Sequence, residues 1–141
     1  MTKDKVLFVC VHNSARSQMA EAFLKDMAGK QFEVQSAGFE PAPLNPLAIA
    51  VMAEVGLDIS KNQAQSVFKL YQEGRLFDYV ITVCTESENR CPMFPGITKR
   101  LHWPFTDPAS LEGSPEEKMS AARHIRDQIK QEVQNFIAEH S

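Results

Sequence analysis

Residues 6–17 read Val-Leu-Phe-Val-Cys-Val-His-Asn-Ser-Ala-Arg-Ser, from Val6 to Ser17. The first four are β-branched, aliphatic or aromatic, a run typical of a central strand in a parallel sheet. Apolar residues after Ser17 recur at spacings of three and four, which predicts one face of an amphipathic helix formed by Met19, Ala20, Phe23, Leu24 and Met27. Gly29 stands at the C′ position that would end this helix. The stretch therefore predicts a buried strand, a tight loop and a helix N-terminus.

The predicted loop begins with Cys10 and leads to Arg16. Backbone N–H groups in such a loop can surround a tetrahedral oxyanion at the positive end of the helix dipole, and an arginine can bind two of its oxygens. The same field lowers a cysteine pKa from about 8.5 to roughly 3.5–7.5. We therefore predict that Cys10 is an ionised nucleophile facing an oxyanion site formed by Val11, His12, Asn13, Ser14, Ala15, Arg16 and Ser17. The alternative is a cysteine that only packs in the core, beside a solvated arginine.

Composition and charge exclude several other classes of protein. A chain of 141 residues, 43% hydrophobic and 23% charged, predicts one globular domain over residues 1–141. The net charge of -3, without a Lys/Arg cluster, argues against nucleic-acid binding. No apolar stretch approaches the roughly 20 residues that span a membrane, and the polar N-terminus does not resemble a signal peptide. The three cysteines favour reactive thiols in the cytoplasm over structural disulfides, in a protein that we expect to be a monomer.

Strands and helices are predicted to alternate along the rest of the chain. Asn45-Pro46 and Ser114-Pro115 have the pattern of helix N-caps followed by proline at the first helical position. The predicted elements are strands over 32–37, within 77–84 and, as a weaker edge strand, over 98–103, and helices over 47–55, over 66–72 and after Ser114. This order predicts a three-layer α/β/α domain with a four-stranded parallel sheet.

Cys10, Cys84 and Asp107 each follow a predicted strand. The carboxyl ends of parallel strands form one rim of the sheet, where ligands bind at the switch point in strand order. A carboxylate on that rim can protonate a leaving oxygen, although Asp-Pro is also a common turn. The spacing of Cys84 and Cys91 does not fit a zinc site, and no metal site is predicted. These two cysteines are then either packing residues or part of thiol chemistry.

The number of thiols distinguishes two kinds of oxyanion chemistry. Hydrolysis of a phosphate ester needs one thiolate and one general acid. Reduction of an oxyanion needs two electrons, hence two thiols that end as a disulfide, and a third thiol lets the disulfide move outward to a reductant. The three cysteines match reduction. A tyrosine phosphatase and a non-catalytic redox sensor remain as alternatives.

Several segments together resemble the low-molecular-weight protein tyrosine phosphatase fold and, more closely, the thioredoxin-coupled arsenate reductases. The matching segments are Asn13–Glu21, Ser36–Gly38, Asn45–Pro46, Asp58–Ser60, Val83–Pro92 and His102–Pro108. The resemblance covers essentially the whole chain. It implies reduction of arsenate to arsenite for arsenic detoxification, with external thioredoxin as the reductant and no bound cofactor.

The resemblance also implies a role for each cysteine. Cys10 would attack arsenate held by the loop and Arg16, while Asp107 protonates the leaving oxygen. Cys84 would then attack the adduct and release arsenite, leaving a Cys10–Cys84 disulfide. Cys91 would attack Cys84, and thioredoxin would reduce the resulting Cys84–Cys91 disulfide. Asn13 and Ser17 would order the loop and hydrogen-bond the thiolate.

Two further expectations concern a cation and a change of shape. Some members of the family bind potassium through Asn13, Ser36 and oxygen-bearing side chains after Asp58-Ile59-Ser60, but residues 61–65 here read Lys-Asn-Gln-Ala-Gln without a carboxylate, so we do not predict that site. Thr85 and Glu88 form a capping box that predicts a short helix over 86–90. Seven residues of helix span about 10 Å, too far for a Cys84–Cys91 disulfide, so oxidation should unwind this segment.

Overall fold

A computed structural model describes residues 3–84 and 99–140 of the chain. The strands are β1 (Asp4–Cys10), β2 (Phe32–Gly38), β3 (Tyr79–Thr82) and β4 (Lys99–His102). The helices are α1 (Arg16–Ala28), α2 (Pro46–Ala53), α3 (Val67–Gln72) and α4 (Pro115–Glu139), with one 3-10 turn at Pro108–Ser110. The strands form a four-stranded parallel sheet in the order β2-β1-β3-β4. The predicted α/β fold with a parallel sheet is therefore confirmed.

Alternate side chains of β1 enter two cores of unequal size. Val6 and Phe8 face the larger core, which α1, α2 and α4 cover. Leu7 and Val9 face the smaller core, which includes two residues of the short helix α3. Every one of these β1 side chains is fully buried. The predicted helical layer is therefore present on both faces of the sheet, but the layer that contains α3 is much thinner than the one formed by α1, α2 and α4.

The predicted helix caps are confirmed. Asn45 Oδ1 accepts a hydrogen bond from the Leu47 N–H at 2.8 Å, with Pro46 at the first helical position. Ser114 and Glu117 form a complete capping box at the start of α4. Apolar residues recur at spacings of three and four after Ser114, which predicts a buried stripe, and all of them are buried, namely Ala122, Ile125, Ile129, Val133 and Phe136. Capping chemistry is local, which is why sequence alone locates these helix starts.

Two local expectations, the end of α2 and the solvation of His140, were wrong. Helix α2 ends at Ala53 rather than residue 55, because the chain turns at Gly56 with φ +81° and the Leu57 N–H bonds back to the Met52 carbonyl. Gly29 follows the last residue of α1, as expected, with a right-handed φ of -63°. The helical pattern around His140 predicts a solvated side chain, but its ring packs on Tyr79 of β3 with ring centroids 5.0 Å apart. The last contact is tertiary, so the helical pattern around His140 does not reveal it.

No helix in residues 3–84 and 99–140 is both long enough and apolar enough to cross a membrane.

The order of the strands places the end of β1 at the centre of the sheet, between β2 and β3. The connection after β1 leads to one side of that strand and the later chain returns on the other side, which is a topological switch point. Cys10 is the last residue of β1, so it lies at this point.

Candidate active site

Cys10, Cys84 and Asp107, which the sequence places on one rim of the sheet, all lie within the described residues and lie at that rim. The Cys10 and Cys84 thiols share a hydrogen bond. Asp107 Oδ2 lies 3.6 Å from Arg16 Nη2. The meeting follows from the parallel sheet, because Cys84 comes just after β3 and Asp107 follows β4. Cys91 and the predicted helix over 86–90 lie outside the described residues.

The segment after β2 supports the oxyanion loop, which we define as residues 10–17. Backbone N–H groups of Glu40, Ala42 and Asn45 donate to the carbonyls of Val11, His12 and Ser14 at 2.8, 3.1 and 2.9 Å. Carbonyls that are bonded on the outer side leave the inner side of a curled loop to its N–H groups, as in other anion-binding nests. The loop conformation is therefore held by a second segment and does not depend on its own residues alone.

Gly38 allows the loop to lie directly on the end of β2. A Cβ atom at this position would be 2.7 Å from the Val11 carbonyl oxygen and 2.8 Å from the Asn13 nitrogen. Both are backbone atoms of the loop and cannot rotate away. Only a glycine fits this approach without moving the loop.

Asn13 adopts an uncommon conformation inside the loop. Its φ is +52°, a left-handed value that asparagine tolerates better than most residues, and its side chain is fully buried. Its Nδ2 donates to Ser17 Oγ at 2.7 Å, which joins the middle of the loop to the first turn of α1. These contacts fit the expected ordering role of Asn13 and Ser17, which stays a prediction.

Arg16 is buried, with 3% of its surface exposed, although it carries a permanent charge. Nη1 donates to the Phe105 carbonyl at 3.1 Å, and Nη2 faces Asp107. Arg16 Nε has no hydrogen-bond partner among the described residues. A buried guanidinium requires anionic or hydrogen-bonding partners, so the unpaired Nε points to a binding function rather than to packing. The alternative of a solvated arginine is wrong.

Asp107 fits both interpretations of the Asp-Pro pair. Its Oδ1 accepts a hydrogen bond from the Ala109 N–H at 2.9 Å and so caps the 3-10 turn. Its Oδ2 turns toward Arg16, and 32% of the side chain remains exposed. The turn therefore fixes the carboxylate at the edge of the site, where a proton donor would need both contact with a ligand and access to water.

The expectation that the surroundings of Cys10 lower its pKa was wrong. The hydrogen bond with Cys84 and burial raise the pKa of the Cys10 thiol, and they outweigh the Arg16 charge and the Val11 N–H, which lower it. Sequence analysis considered the field of the loop but not a second thiol in direct contact. Contact with the Cys84 thiol and burial therefore oppose ionisation of Cys10 in this arrangement.

Two histidines lie near the site, and the hydrogen bonds of their rings place each of them. His12 is exposed, and its Nδ1 lies 3.0 Å from the Glu40 carbonyl, so only its backbone belongs to the loop. His102 Nδ1 lies 2.6 Å from the Thr82 hydroxyl, between the ends of β4 and β3.

Oxygens of Asn13 and Ser36 accept hydrogen bonds from the segment after Asp58-Ile59-Ser60. Gln65 donates from its backbone N–H to Asn13 Oδ1 at 3.1 Å and from its side chain to the Ser36 carbonyl at 2.8 Å. The Lys25 ammonium pairs with Glu21 at 2.5 Å. N–H donors thus engage oxygens that a bound cation would need, and the absence of a potassium site stays a prediction. In the described ranges, there is no group of three or more His, Cys, Asp or Glu side chains that could hold a metal.

The sequence did not predict the two glutamines of the site, Gln18 and Gln65. Gln18 is 1% exposed and bonds to Asn13, and Gln65 bonds to Asn13 and Ser36. The one available signal was a glutamine between Ser17 and Met19 in the first turn of a helix with a buried face. The Phe105 carbonyl, which holds Arg16, had no signal at all, because every residue carries that group.

Comparison with known proteins places this geometry in a family. Residues 5–140 match the family described as low molecular weight phosphotyrosine protein phosphatase. An arsenate reductase of Bacillus licheniformis is 40% identical over 136 residues, 96% of each chain. A solved arsenate reductase in a phosphate-binding state is 34% identical, with a TM-score of 0.80 over 98% of this chain and 99% of that one.

A thioredoxin-dependent arsenate reductase of Corynebacterium glutamicum is 33% identical, with a TM-score of 0.63 over 94% of this chain and 62% of that one. The match to the family covers almost every described element, including the loop, β3 and the Asp107 turn. The chain therefore belongs to the low molecular weight phosphotyrosine protein phosphatase family and, within it, to the arsenate reductases.

Proposed function

We propose that this chain, acting as one domain over residues 1–141, reduces arsenate to arsenite through a relay of Cys10, Cys84 and Cys91. The observation that carries the proposal is the hydrogen bond between the Cys10 and Cys84 thiols, next to a buried arginine. A hydrolase needs one nucleophilic thiol, whereas a two-electron reduction needs a second thiol within reach of the first. Relatives named arsenate reductase, at about 40% identity, support the same chemistry.

The first step forms a bond between sulfur and arsenic. Arsenate binds the loop N–H groups and Arg16, and the Cys10 sulfur attacks the arsenic atom. One arsenate hydroxyl takes a proton from Asp107 and leaves as water. Cys10 releases its own proton, so the net products are the adduct and one water molecule. Arsenic stays in the +5 state throughout this step. The raised pKa of Cys10 implies that the thiol loses its proton during this step.

The second step reduces arsenic. The Cys84 sulfur attacks Cys10 and forms a disulfide, while the bond between sulfur and arsenic breaks and its electron pair stays on arsenic. Arsenite leaves with the proton of Cys84. Burial of Cys84 at 0% exposure, against the Cys10 thiol, supports this transfer.

The third step returns Cys10 to its reduced state. Cys91 attacks Cys84, so that the disulfide becomes Cys84–Cys91 and can be reduced by an external dithiol. We propose thioredoxin as that dithiol, as the name of the Corynebacterium glutamicum relative suggests. The cytoplasm, where thioredoxin keeps thiols reduced, is the proposed compartment.

The decisive experiment is arsenate-dependent oxidation of NADPH in the presence of thioredoxin and its reductase. We expect steady turnover with arsenate and none without it. Cys84→Ser is expected to lose this activity and to keep slow hydrolysis of an activated aryl phosphate, which needs Cys10, Arg16 and Asp107 only. Arsenate reduction by Cys84→Ser at the wild-type rate would contradict the relay.

The phosphatase and the redox sensor make different predictions in the same experiment. A phosphatase hydrolyses the aryl phosphate quickly and shows no arsenate-dependent NADPH oxidation. A sensor forms its disulfide once and then stops, so the NADPH oxidised would not exceed one equivalent of protein. Steady turnover over many equivalents distinguishes the reductase from both.

A further inference from the structure

Gln18 is a buried polar residue that the thiol relay does not use. It lies in the first turn of α1 and is 1% exposed. Its Nε2 is 3.2 Å from the Asn13 carbonyl oxygen and 3.2 Å from Asn13 Oδ1. A buried amide must satisfy its polar atoms, and here Nε2 finds two of its acceptors on one residue of the oxyanion loop.

The neighbours of Gln18 fix the orientation of its amide. The Gln63 carbonyl, 3.4 Å from Nε2, is a third acceptor on the same side as the two Asn13 oxygens. On the other side, Gln18 Oε1 accepts a hydrogen bond from Asn62 Nδ2 at 3.1 Å. A flipped amide would place its oxygen against three acceptors and leave Asn62 without one. The donor groups of Gln18 therefore face Asn13.

Asn13 is the residue of the loop that most needs such support, because it is a non-glycine residue with φ +52°. Left-handed backbone is unfavourable for residues with a side chain and persists where the surroundings hold it. Gln18 bonds to both the backbone and the side-chain oxygen of Asn13, so it opposes rotation of the peptide and of the side chain together. Gln65 and Ser17 hold the same side chain from other directions.

We propose that Gln18 is a positioning residue for oxyanion binding: it holds Asn13 in its left-handed conformation and thereby keeps the loop in the shape that receives the anion. The inference rests on the proposed oxyanion site. Asn62 then acts indirectly, because its side chain orients the amide of Gln18. A loop that is ordered before the ligand arrives binds more tightly, because binding no longer has to order it.

The test compares phosphate binding by the wild type and Gln18→Met with isothermal titration calorimetry. Methionine keeps the length of the side chain but donates no hydrogen bond. Loss of two hydrogen bonds to Asn13 should weaken phosphate binding about tenfold. Wild-type affinity in Gln18→Met would overturn the inference.

Leu24→Ala is the matched control for general loss of stability. Leu24 is fully buried on the same helix, two turns further from the loop. Its truncation should lower the Tm and leave the phosphate Kd unchanged. An equal loss of affinity in Leu24→Ala and Gln18→Met would overturn the positioning role.

Turnover provides a second readout. In Gln18→Met the KM for arsenate should rise together with the phosphate Kd, while kcat changes by no more than about twofold. A merely structural defect would reduce the folded fraction, lowering the apparent kcat with KM unchanged, and that result would overturn the inference.

Asn62→Ala keeps the test valid if Gln18→Met does not fold. Asn62 is exposed, so its truncation should not affect folding, and it removes the donor that holds Gln18 Oε1, which leaves the amide less firmly placed against Asn13. We expect phosphate affinity about two- to threefold weaker than in the wild type. Unchanged affinity in this variant would also overturn the inference. Failure of the wild type itself to bind phosphate would instead contradict the proposed oxyanion site.

Discussion

The two sides of the candidate active site are held in different ways. The oxyanion loop is fixed by other parts of the chain: three of its carbonyls accept N–H groups from residues 40–45, and Gly38 lies directly beneath it. The opposite side, which we call the acid loop (residues 103–107), reaches the site through two contacts with Arg16, from the Phe105 carbonyl and from Asp107.

The difference indicates how the two sides respond to a ligand. The oxyanion loop is already shaped for an anion, so binding leaves it largely unchanged. The acid loop contacts the guanidinium of Arg16, and an anion would bind the same group. Asp107 and the anion therefore compete for Arg16. Binding and proton donation are therefore separable, and substitutions on the two sides should have different effects.

Cys10→Ser should have the largest effect, because it removes the nucleophile and leaves the rest of the loop. An alcohol has a far higher pKa than a thiol and is not ionised in this environment, so arsenate reduction and aryl phosphate hydrolysis should both disappear. Phosphate binding, measured by calorimetry, should persist, since the backbone of the loop is unchanged. Measurable turnover by Cys10→Ser would contradict the assignment of Cys10.

Asp107→Asn tests the acid loop alone. Loss of a general acid should lower kcat for arsenate by roughly 10²–10⁴. Phosphate affinity should rise, because Arg16 Nη2 no longer has a carboxylate 3.6 Å away. Single-turnover kinetics and calorimetry measure the two quantities. Glu112→Gln, which neutralises an exposed carboxylate five residues further on, is the control and should change neither. An unchanged kcat where chemistry is rate-limiting would reduce Asp107 to a turn residue.

Gly38→Ala tests the support of the oxyanion loop. The added Cβ would lie 2.7–2.9 Å from three backbone atoms of residues 11–13, so the loop must move. We expect phosphate affinity to fall about tenfold or more, as for other small displacements of a binding group. Gly74→Ala is the control. Gly74 has φ +73° and open space around it, so this change should lower the Tm without affecting phosphate binding. Equal phosphate affinity in Gly38→Ala and the wild type would show that the loop tolerates displacement.

The smallest effect concerns the titration of Cys10. The hydrogen bond with Cys84 is the largest cause of its raised pKa, so removing the Cys84 thiol should lower that pKa. Thiolate absorbance near 240 nm should then appear at lower pH in Cys84→Ala than in its parent. Both proteins should carry Cys91→Ser, so that the third thiol does not contribute. A titration at the same or higher pH would mean that burial, and not the contact, sets the pKa.

Much of the fold and part of the site could be predicted from local sequence. The apolar run of β1, the caps at Asn45 and Ser114 and the stripe of α4 each depend on neighbours a few residues away. The rim that joins Cys10, Cys84 and Asp107 could be predicted as well, because parallel strands bring their carboxyl ends together. The roles of these residues in catalysis remain predictions.

Tertiary structure alone decided the electrostatics and the support of the site. Sequence analysis predicted a lowered pKa for Cys10 from the loop, but contact with Cys84, 74 positions along the chain, raises it. Arg16 is bound by the Phe105 carbonyl, and Asn13 is held by Gln18 and Gln65. Spacing along the chain determines which residues share a strand or a helix face. A pKa or a loop conformation depends on distances between residues far apart in sequence, and only the packed fold determines those distances.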